Sequence, residues 1–420
     1  MNQNGQLRLP CFLGDSMNNR FDALIIGAGA SGMMCAIAAK KKNPHLRVAI
    51  IEKNDRVGKK LLATGNGRCN LTNQHIDAVK YAGSFRNQAR SIFSQYDCAF
   101  LRGYFETLGL LTYADDAGRV YPISRQASSV LDVIRFGCER LGVEIFCNET
   151  ICSLKKRGVG FVVKTKEREF YSDKLVIACG SKAAPKLGGS AAGADFLKNF
   201  GHSVIPFSPA LCPLSVKSDI LKSLKGLRAN GRVSLLRGTQ TVKTEDGEIQ
   251  FADGALSGIC VFNLSLYAKQ GDVILVDLLN NNSEKKLYNI LIKNKKLFSQ
   301  LTMDNLLTGI LQKRLAQAVM KAGGLQDFSR LCDDLTDMEL KKIAKQLKNM
   351  RFEIGGKAGF EQAQCAMGGV AGKEIDEKTM QSKKVRNLFV CGEAIDICGE
   401  CGGFNLHFAF VSGLIAGEHL

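Results

Sequence analysis

The stretch FDALIIGAGASGM, residues 21–33, combines a short apolar run with three closely spaced glycines. The run Ala23–Ile26 predicts a buried parallel strand, and the small residues after the glycines predict a helix. Gly27 permits the tight turn, Gly29 lets backbone amides approach a pyrophosphate, and Gly32 allows the helix to pack closely on the strand. We expect a diphosphate at the helix N-terminus, where unpaired N–H groups and the helix dipole favour negative charge.

An acidic residue follows this motif at the spacing that a dinucleotide requires. The run Val48–Ile51 predicts the next strand, and Glu52 stands at its end, about 20 residues after Gly32. A carboxylate in that position accepts hydrogen bonds from an adenosine ribose. Strand, glycines, helix, strand and acid in this order predict an ADP-containing dinucleotide, and the alternative is a glycine-rich structural turn. The segment does not say which dinucleotide binds.

Length and composition set outer limits on the fold and the partners. A chain of 420 residues predicts two or three domains, and a hydrophobic content of 45% allows an ordinary core. No apolar run approaches the roughly 18 residues of a membrane span, so we expect no membrane partner. Residues 1–19 carry no secretory signal and are interpreted as an N-terminal extension. The 15 cysteines are too few for a disulfide scaffold, and those such as Cys35, Cys179, Cys260 and Cys391 lie inside predicted strands and helices, which favours a reducing, cytoplasmic location.

The formal net charge of +17 raises nucleic acid as a partner. The excess lysines and arginines are spread along the chain, and no aromatic residues interleave them as in single-strand binding grooves. We therefore expect a small-molecule substrate, with nucleic acid disfavoured but still permitted by the charge. The sequence does not indicate an oligomeric state.

Apolar periodicity predicts the order of the secondary-structure elements. Helices are predicted over 89–108 and 124–141, and they are followed by short strands over 143–146, 149–154, 160–165, 169–172 and 174–179. Short alternating segments after residue 203 predict a β-barrel or sandwich, and a polar-faced helical run follows it. A strand, a glycine-rich loop and a helix end the sequence.

The last predicted strand is apolar like the strands of the first part of the chain, which implies a nucleotide-binding domain formed by two separate stretches of sequence. The predicted fold class is α/β, with a Rossmann-like domain interrupted by a β-barrel or sandwich domain and a small helical insert. The predicted boundaries are 21–202 and 364–420 for the Rossmann-like domain, 203–282 and 350–363 for the barrel, and 283–349 for the insert.

Two further segments carry polar groups suited to a flavin. An apolar strand ends at Gly392–Glu393, where a carboxylate can accept a hydrogen bond from a ribityl hydroxyl. Gly402–Gly403 then opens a helix whose first amides suit the electron-rich edge of a flavin ring. The segment 58–73 has no hydrophobic period, so its asparagines and Arg68 are expected to contact the pyrophosphate and the ring. The alternatives are a glycine-capped strand–loop–helix and a solvated loop.

These segments resemble one known family. The chain is similar to the FAD-dependent oxidoreductases grouped as aminoacetone-oxidase-like flavoproteins, which include the 3-dehydro-bile-acid Δ4,6-reductases. The resemblance spans residues 21–417, and its motifs are GAGASG (27–32), GKKLLATGNGRCNLTN (58–73), ACGSKAAPKLGGSAAGAD (178–195), PALCPL (209–214), ALSGICVFNLS (255–265), AMGGV (366–370), TMQSK (379–383) and CGEAIDICGECGGFNLHFAFVSG (391–413).

The resemblance implies an FAD-binding domain and a set of residues that hold FAD. The sequence departs from the family pattern at 178–181 and 189–195, so no contact is assigned between 181 and 195. The residues implied or expected to contact FAD are Gly27, Ala28, Gly29, Ala30, Ser31, Gly32, Glu52, Lys53, Lys60, Gly65, Asn66, Arg68, Cys69, Asn70, Ile151, Gly180, Gly392, Glu393, Gly403, Phe404, Asn405 and Leu406.

No pair of side chains stands out as a catalytic acid and base. Asn405 and His407 are weak catalytic candidates beside the presumed ring-binding helix, although a single histidine there is more often structural. The TGNGRCN loop, residues 64–70, contains a single cysteine, Cys69, and so lacks the cysteine pair of a flavin disulfide reductase. The CxxC of Cys398 and Cys401 is interpreted as structural, with redox-active thiols as the alternative, and no metal site is expected.

These features predict an FAD-dependent oxidoreductase in which the flavin carries the chemistry by hydride transfer through N5. The resemblance implies two reactions, reduction of an enone C=C bond with NAD(P)H or oxidation of an amine with O2. No second GxGxxG–acid unit is apparent, so NADH or NADPH would bind only transiently as the reductant. The alternatives are a tRNA-modifying flavoprotein, favoured by the charge, and a non-catalytic flavin-binding redox sensor.

Overall fold

The computed structural model describes residues 19–420. The predicted N-terminal extension, 1–19, lies outside these residues except for Asn19. The chain divides into two compact units, of which the first reaches to Phe207 and resumes at Met367–Leu420. The second unit is Ser208–Ala366, so it interrupts the first.

The first unit is built on a mainly parallel sheet. The strands outside the barrel are β1 (Arg20–Ile26), β2 (Val48–Ile51), β3 (Thr72–Asn73), β4 (Tyr81–Ala82), β5 (Thr112–Ala114), β6 (Arg119–Pro122), β7 (Glu144–Phe146), β8 (Ile151–Arg157), β9 (Gly160–Thr165), β10 (Glu169–Ile177), β11 (Val204–Ala210), β18 (Cys365–Val370), β19 (Leu388–Val390) and β20 (Cys398–Gly399). The main sheet has the order β7–β2–β1–β10–β9–β8, and β19 also pairs with β10. β1 and β2 are almost wholly buried, as their continuous apolar sequences require of central parallel strands.

Strand β10 corrects one prediction. The sequence suggests separate strands over 169–172 and 174–179, but the structure has one strand, Glu169–Ile177. Its first half pairs antiparallel with β9 and its second half pairs parallel with β19, while β1 runs parallel along its length. The change of partner produces the change of sequence pattern that looked like a break.

The helices of the first unit include two that pack at very close range. They are α1 (Ala30–Lys42), α2 (Lys59–Ala63), α3 (Arg86–Gln95), α4 (Cys98–Thr107), α5 (Ala127–Arg140), α6 (Ala192–Asn199) and α12 (Phe404–Glu418). A Cβ on Gly413 of α12 would lie 2.3 Å from Ser31 O, and one on Gly417 would lie 2.2 Å from Cys35 O. Glycine at these positions therefore lets α12 lie directly on α1, which is nearly all buried.

The predicted helix over 89–108 is wrong in one respect, because the structure breaks it into α3 and α4. Tyr96 ends the first helix outside the helical region of backbone angles. Asp97 begins the second, where its side chain accepts a hydrogen bond from the Phe100 N–H at 2.8 Å. This is an aspartate N-cap, a start signal inside an otherwise continuous amphipathic pattern.

The second unit is a closed β-barrel with helices. Its strands are β12 (Leu214–Lys217), β13 (Arg228–Arg237), β14 (Gln240–Ala252), β15 (Ala255–Ser257), β16 (Val273–Asp277) and β17 (Met350–Lys357), and they close in the order β12–β15–β14–β13–β16–β17. Its helices are α7 (Ile220–Leu224), α8 (Ile259–Ser265), α9 (Glu284–Leu297), α10 (Lys313–Ala322) and α11 (Asp337–Lys348). Apolar residues of the barrel and of these helices share one core.

The predicted fold class is confirmed. A discontinuous Rossmann-like unit is interrupted by a barrel, and a helical segment lies between β16 and β17. The barrel was only partly predicted, since β13 and β14 are longer than the short segments expected and α8 was missed. Within residues 19–420, no helix combines the length and apolarity that a membrane span needs.

Candidate cofactor-binding site

The glycines of the opening motif have different surroundings. Gly27 has φ +106° and a Cβ there would lie 2.6 Å from Ala178 O, while a Cβ on Gly32 would lie 2.0 Å from Gly27 O. Both positions are thus closed by backbone, as the turn and the helix–strand contact require. Gly29 differs, because a Cβ built on it would have no atom of residues 19–420 within 4 Å. The backbone at Gly29 faces open space that a ligand could fill.

The N-terminus of α1 offers unpaired donors to that space. Gly29 is the N-cap residue, no side chain caps the helix, and its first turn contains no acidic residue. The first amides of a helix have no intrahelical acceptor, and the helix dipole adds positive potential there. Gly29, Ala30 and Ser31 therefore present the donor set that suits a diphosphate.

Glu52 lies at the end of β2 beside this turn. Its Oε2 accepts a hydrogen bond from the Ala28 N–H at 2.9 Å, and its Oε1 accepts two from Asn54, at 2.8 Å from N and 2.6 Å from Nδ2. A carboxylate offers about four acceptor positions, so one remains for a ribose hydroxyl. The sequence did not predict the role of Asn54, which fixes the Glu52 carboxylate, because Asn54 belongs to no recognisable motif.

Lys53 and Ile151 are the two other predicted FAD contacts close to Glu52. The Lys53 side chain is exposed. Ile151 is half-buried at the start of β8, two residues after Glu149, whose N–H donates to Glu52 O at 2.9 Å. A backbone hydrogen bond thus ties the segment before Ile151 to Glu52, whereas Lys53 lies at the surface.

The TGNGRCN loop has a run of left-handed backbone. Positive φ angles occur at Gly65, Asn66, Gly67 and Cys69, and for the two non-glycine residues this conformation is uncommon. Cys69 is buried, and burial raises the pKa of its thiol to about 12. The thiol is therefore protonated at neutral pH and unsuited to act as a nucleophile.

The side chains of Arg68 and Asn70 face different surroundings. The Arg68 guanidinium is exposed and stacks on the Tyr121 ring at 5.1 Å from the centroid. Asn70 Oδ1 is buried without a hydrogen-bond donor in the described structure. Asn70 also lies beside Gly403, where a Cβ would come within 2.8 Å of Oδ1. The loop therefore touches the N-terminus of α12.

Glu393 joins the first and last segments of the site. Its Oε2 accepts from Lys60 Nζ at 2.6 Å, whereas its Oε1 is buried without a partner among the described residues. A Cβ on Gly180, after β10, would lie 3.8 Å from Oε2, and one on Gly392 would lie 2.6 Å from Ser31 Oγ. The ends of β1, β10 and β19 thus converge, as the carboxyl ends of parallel strands do at a nucleotide site.

The first residues of α12 complete this edge. Gly403 is the N-cap with φ +99°, and no side chain caps the helix. Phe404 is buried, its carbonyl oxygen accepts the Tyr81 hydroxyl at 2.8 Å, and Leu406 is half-buried. The first amides of this helix, like those of α1, have no intrahelical acceptor.

Both weak catalytic candidates are held by protein groups. Asn405 Oδ1 accepts from the Gly399 N–H and its Nδ2 donates to Gly399 O, each at 2.8 Å. His407 Nε2 lies 2.9 Å from Tyr96 O and Nδ1 lies 2.8 Å from Thr72 Oγ1. Because a carbonyl only accepts, Nε2 carries the proton and Nδ1 accepts the hydroxyl. Burial lowers the pKa of His407 to about 4, so the geometry favours a structural histidine.

Neither Cys398 nor Cys401 forms a disulfide within the described residues. Cys398 is buried with its Sγ 3.8 Å from Gly399 O, and Cys401 is half-buried. Glu400 between them is buried and pairs with Lys80 at 3.2 Å. In the part of the chain that the structure describes, no three His, Cys, Asp or Glu side chains are grouped as metal ligands.

The residues present fit FAD on observations of this structure. Amides without intrahelical acceptors at the starts of α1 and α12 suit a diphosphate and an electron-rich ring edge. Two buried acceptors, Glu393 Oε1 and Asn70 Oδ1, have no donor among residues 19–420 and require donors such as ribityl hydroxyls or ring N–H groups. FAD supplies both kinds of group, so these residues would hold it.

Comparisons with known proteins show which family the chain resembles. The family model described as the HI0933-like protein Rossmann domain matches residues 21–419. The chain is 33% identical over 401 residues to a 3-dehydro-bile acid delta(4,6)-reductase from Clostridium scindens, covering 94% of this chain and 97% of that protein. It is 29% identical over 411 residues to a ribosomal RNA dihydrouridine synthase from Escherichia coli, covering 96% and 98%.

A solved structure with the same overall fold is a 3-ketosteroid delta1-dehydrogenase from Sterolibacterium denitrificans. It superposes with a TM-score of 0.50 at 12% identity, covering 96% of this chain and 99% of that one. At this identity the likeness concerns the fold alone.

Proposed function

We propose a function from one premise: the chain belongs to the HI0933-like Rossmann-domain family and is an FAD-dependent oxidoreductase. The proposed reaction is the reduction, with NADH or NADPH as the electron donor, of a C=C bond conjugated to a carbonyl group in a small organic substrate. The observation that carries it is the 33% identity, over nearly the whole of both chains, to a 3-dehydro-bile acid delta(4,6)-reductase.

A second relative supports the reductive direction. Dihydrouridine is uridine with two hydrogens added across the ring C=C bond, which is also conjugated to a carbonyl. Two curated relatives with different substrates therefore bear names that describe the same bond change. Amine oxidation, the other reaction considered from the sequence, has no such support.

When bound, FAD supplies hydride transfer at its N5 atom. The protein's own residues would bind FAD and orient it. The start of α1 and Glu52 would hold the ADP half, and Lys60 fixes Glu393 so that its second oxygen faces the site. His407 stays neutral and fully paired with Tyr96 and Thr72, so it would support α12 rather than transfer a proton.

Product analysis tests the proposed reaction. The FAD-loaded protein is incubated with NADPH or NADH and a 3-oxo steroid that carries conjugated C=C bonds, and the products are analysed by mass spectrometry. We expect a product that has gained two hydrogens, together with oxidised dinucleotide in equal amount. Turnover of amines with release of hydrogen peroxide, and no reduced steroid, would instead support the oxidase.

A second candidate is reduction of a uracil ring within RNA. The net charge of +17 and the relationship to a ribosomal RNA dihydrouridine synthase favour it. It uses the same bond chemistry on a polyanionic substrate. Mixing the protein with ribosomal RNA or tRNA tests it, because a real RNA substrate would form a complex that weakens steeply with salt.

A further inference from the structure

We propose that a row of contacting arginine and tyrosine side chains on the first unit binds the phosphate groups of the nicotinamide dinucleotide. The row consists, in spatial order, of Arg125, Tyr113, Tyr121 and Arg68. The inference rests on the proposed function, since it names where the electron donor of that reaction docks. None of these residues except Arg68 belongs to the expected FAD contacts.

The two tyrosines form the centre of the row because of strand register. Tyr113 of β5 and Tyr121 of β6 are direct partners in an antiparallel pair. Directly opposed residues project from the same face of a sheet, so their side chains meet. Their ring centroids are 6.0 Å apart, and the ring planes are inclined by 31°. Tyr121 is buried, whereas Tyr113 is half-buried.

An exposed arginine lies on each tyrosine. The Arg125 guanidinium carbon is 5.4 Å from the Tyr113 centroid, and that of Arg68 is 5.1 Å from the Tyr121 centroid. The turn that presents Arg125 is fixed by its own N–H, which donates to Pro122 O at 2.9 Å. At the other end, Arg68 Nε donates to Gly65 O at 3.2 Å. Arg68 is therefore oriented by its ring contact and by Gly65 O, and Arg125 is oriented by its ring contact on a hydrogen-bonded turn.

Neither guanidinium has a carboxylate partner among residues 19–420. By contrast, Arg119, which is on β6 with Tyr121, pairs with Asp115 at 2.8 Å. A guanidinium that stacks on a ring keeps the N–H groups at its edge, and these bind phosphate in a bidentate manner. The row thus carries two permanent, oriented and unneutralised positive charges.

The position of the row indicates which anion it serves. A Cβ on Gly65 would lie 3.6 Å from Tyr121 Cε1, so the row abuts the TGNGRCN loop. The same loop reaches Gly403 at the start of α12 through Asn70, in the expected flavin site. A hydride donor must approach the flavin, and the sequence shows no second GxGxxG–acid unit to bind it. A dinucleotide carries several phosphate charges, which suit two unneutralised guanidinium groups on one surface better than the single charge of a small carboxylate substrate does.

Binding of NADP+ to the FAD-loaded protein tests the assignment, because the oxidised dinucleotide binds without reducing the flavin. Isothermal titration calorimetry is carried out on the wild type, on Arg125→Gln and on Arg157→Gln, a control at an exposed arginine in the β8–β9 hairpin. We expect Arg125→Gln to weaken binding about tenfold, because one charged hydrogen-bonding group is lost, with an unchanged FAD content. The control should bind as the wild type does.

The tyrosine beneath Arg125 provides an independent variant. Tyr113→Phe keeps the ring that positions the guanidinium, and Tyr113→Leu removes it. We therefore expect wild-type NADP+ affinity in the first variant and an affinity close to that of Arg125→Gln in the second. If Tyr113→Leu does not fold, the NADP+ affinities of Arg125→Gln and Tyr113→Phe still test the inference, because only the first should be reduced.

Three results would overturn the inference. They are no binding of NADP+ to the wild type, equal affinity in Arg125→Gln and Arg157→Gln, or a loss in Arg125→Gln confined to binding of a single-stranded oligouridylate. The last result would make the row an RNA surface. Failure of the proposed function looks different, since NADP+ binding would depend on Arg125 while NADPH and NADH left the flavin oxidised.

Discussion

Glu393 is the residue at which the distant parts of the site meet. One of its oxygens accepts from Lys60 at 2.6 Å and the other is buried without a partner among the described residues. A buried polar atom left unpaired costs roughly 1–3 kcal/mol, and more if it is charged. Such a cost is removed when a ligand hydroxyl donates to the free oxygen. We therefore regard Lys60 as a positioning residue, which sets the direction of the carboxylate without touching the reacting atoms.

Replacing Lys60 should weaken FAD binding. In Lys60→Met the Glu393 carboxylate loses its fixed direction, so we expect FAD affinity to fall by about tenfold, the effect of losing one charged hydrogen bond. Flavin fluorescence on titration of the cofactor-free protein gives the dissociation constant. Lys59→Met is the matched control, because the neighbouring Lys59 pairs with the exposed Asp55. Equal affinities in the two variants would show that Lys60 does not position the cofactor site.

His407 should make folding stability sensitive to acid. Burial lowers its pKa to about 4 from 6.5, so between these values the unfolded chain binds a proton that the folded chain does not. Stability contributed by the neutral imidazole is therefore present above pH 6.5 and is lost as the pH falls towards 4, by up to about 3 kcal/mol.

The variant His407→Gln tests this titration. We expect a lower free energy of unfolding at pH 7 and a flatter dependence on pH between 4 and 6.5, measured by urea unfolding. Burial also lowers the pKa of His202, so part of the acid sensitivity remains in both proteins. Parallel curves for wild type and variant would contradict the assignment.

At the level of elements, the contact between α1 and α12 holds the two ends of the site together. Helix α12 crosses α1 so closely that Gly413 and Gly417 leave no room for a side chain. The start of α1 faces the expected diphosphate, and the start of α12 faces the expected flavin. Their spacing therefore depends on these two glycines.

A pair of alanine substitutions distinguishes this packing role from ordinary helix propensity. Gly413→Ala places a Cβ 2.3 Å from Ser31 O, and overpacking of this kind costs about 1–3 kcal/mol, so thermal stability should fall. Gly103→Ala lies in α4 with nothing within 4 Å, so it should gain about 0.5–1 kcal/mol from helix propensity. Differential scanning calorimetry reports both. Equal effects of the two substitutions would mean that α12 can move away from α1 at no cost.

The sequence predicts some structural elements well and others poorly. The turn at Gly27–Gly32 and the acid at Glu52 were predictable, because their spacing is local and their chemistry narrow. The continuity of β10 was not, since it depends on β9 and β19, which are distant in sequence. The pairing of His407 with Tyr96 O, and the ring contact of Tyr113 with Tyr121, likewise depend on contacts between strands and helices that no local pattern reports.

For the whole molecule, the cofactor is expected to be part of the stability of the first unit. Amides without intrahelical acceptors at two helix starts, and the oxygens of Glu393 and Asn70 that lack a donor among residues 19–420, would all be satisfied by FAD. A ligand that binds only the folded state adds about 2.7 kcal/mol at a hundredfold excess over its dissociation constant.

Removal of FAD should therefore lower the melting temperature, and added FAD should restore it in a concentration-dependent way. Scanning fluorimetry of the apoprotein over a series of FAD concentrations measures the effect, with ADP and riboflavin as partial ligands for the two halves of the site. We expect ADP to recover part of the shift. A melting temperature independent of FAD would contradict the placement of the cofactor at these residues.

The proposed direction of electron flow is tested most directly by a two-step anaerobic experiment. The FAD-loaded protein is mixed with NADPH or NADH, and the visible flavin band is followed before and after a conjugated 3-oxo steroid is added. We expect the dinucleotide to bleach the band and the steroid to restore it, with formation of the reduced steroid. A flavin that stays oxidised with both dinucleotides but is bleached by an amine would contradict the proposed reductase.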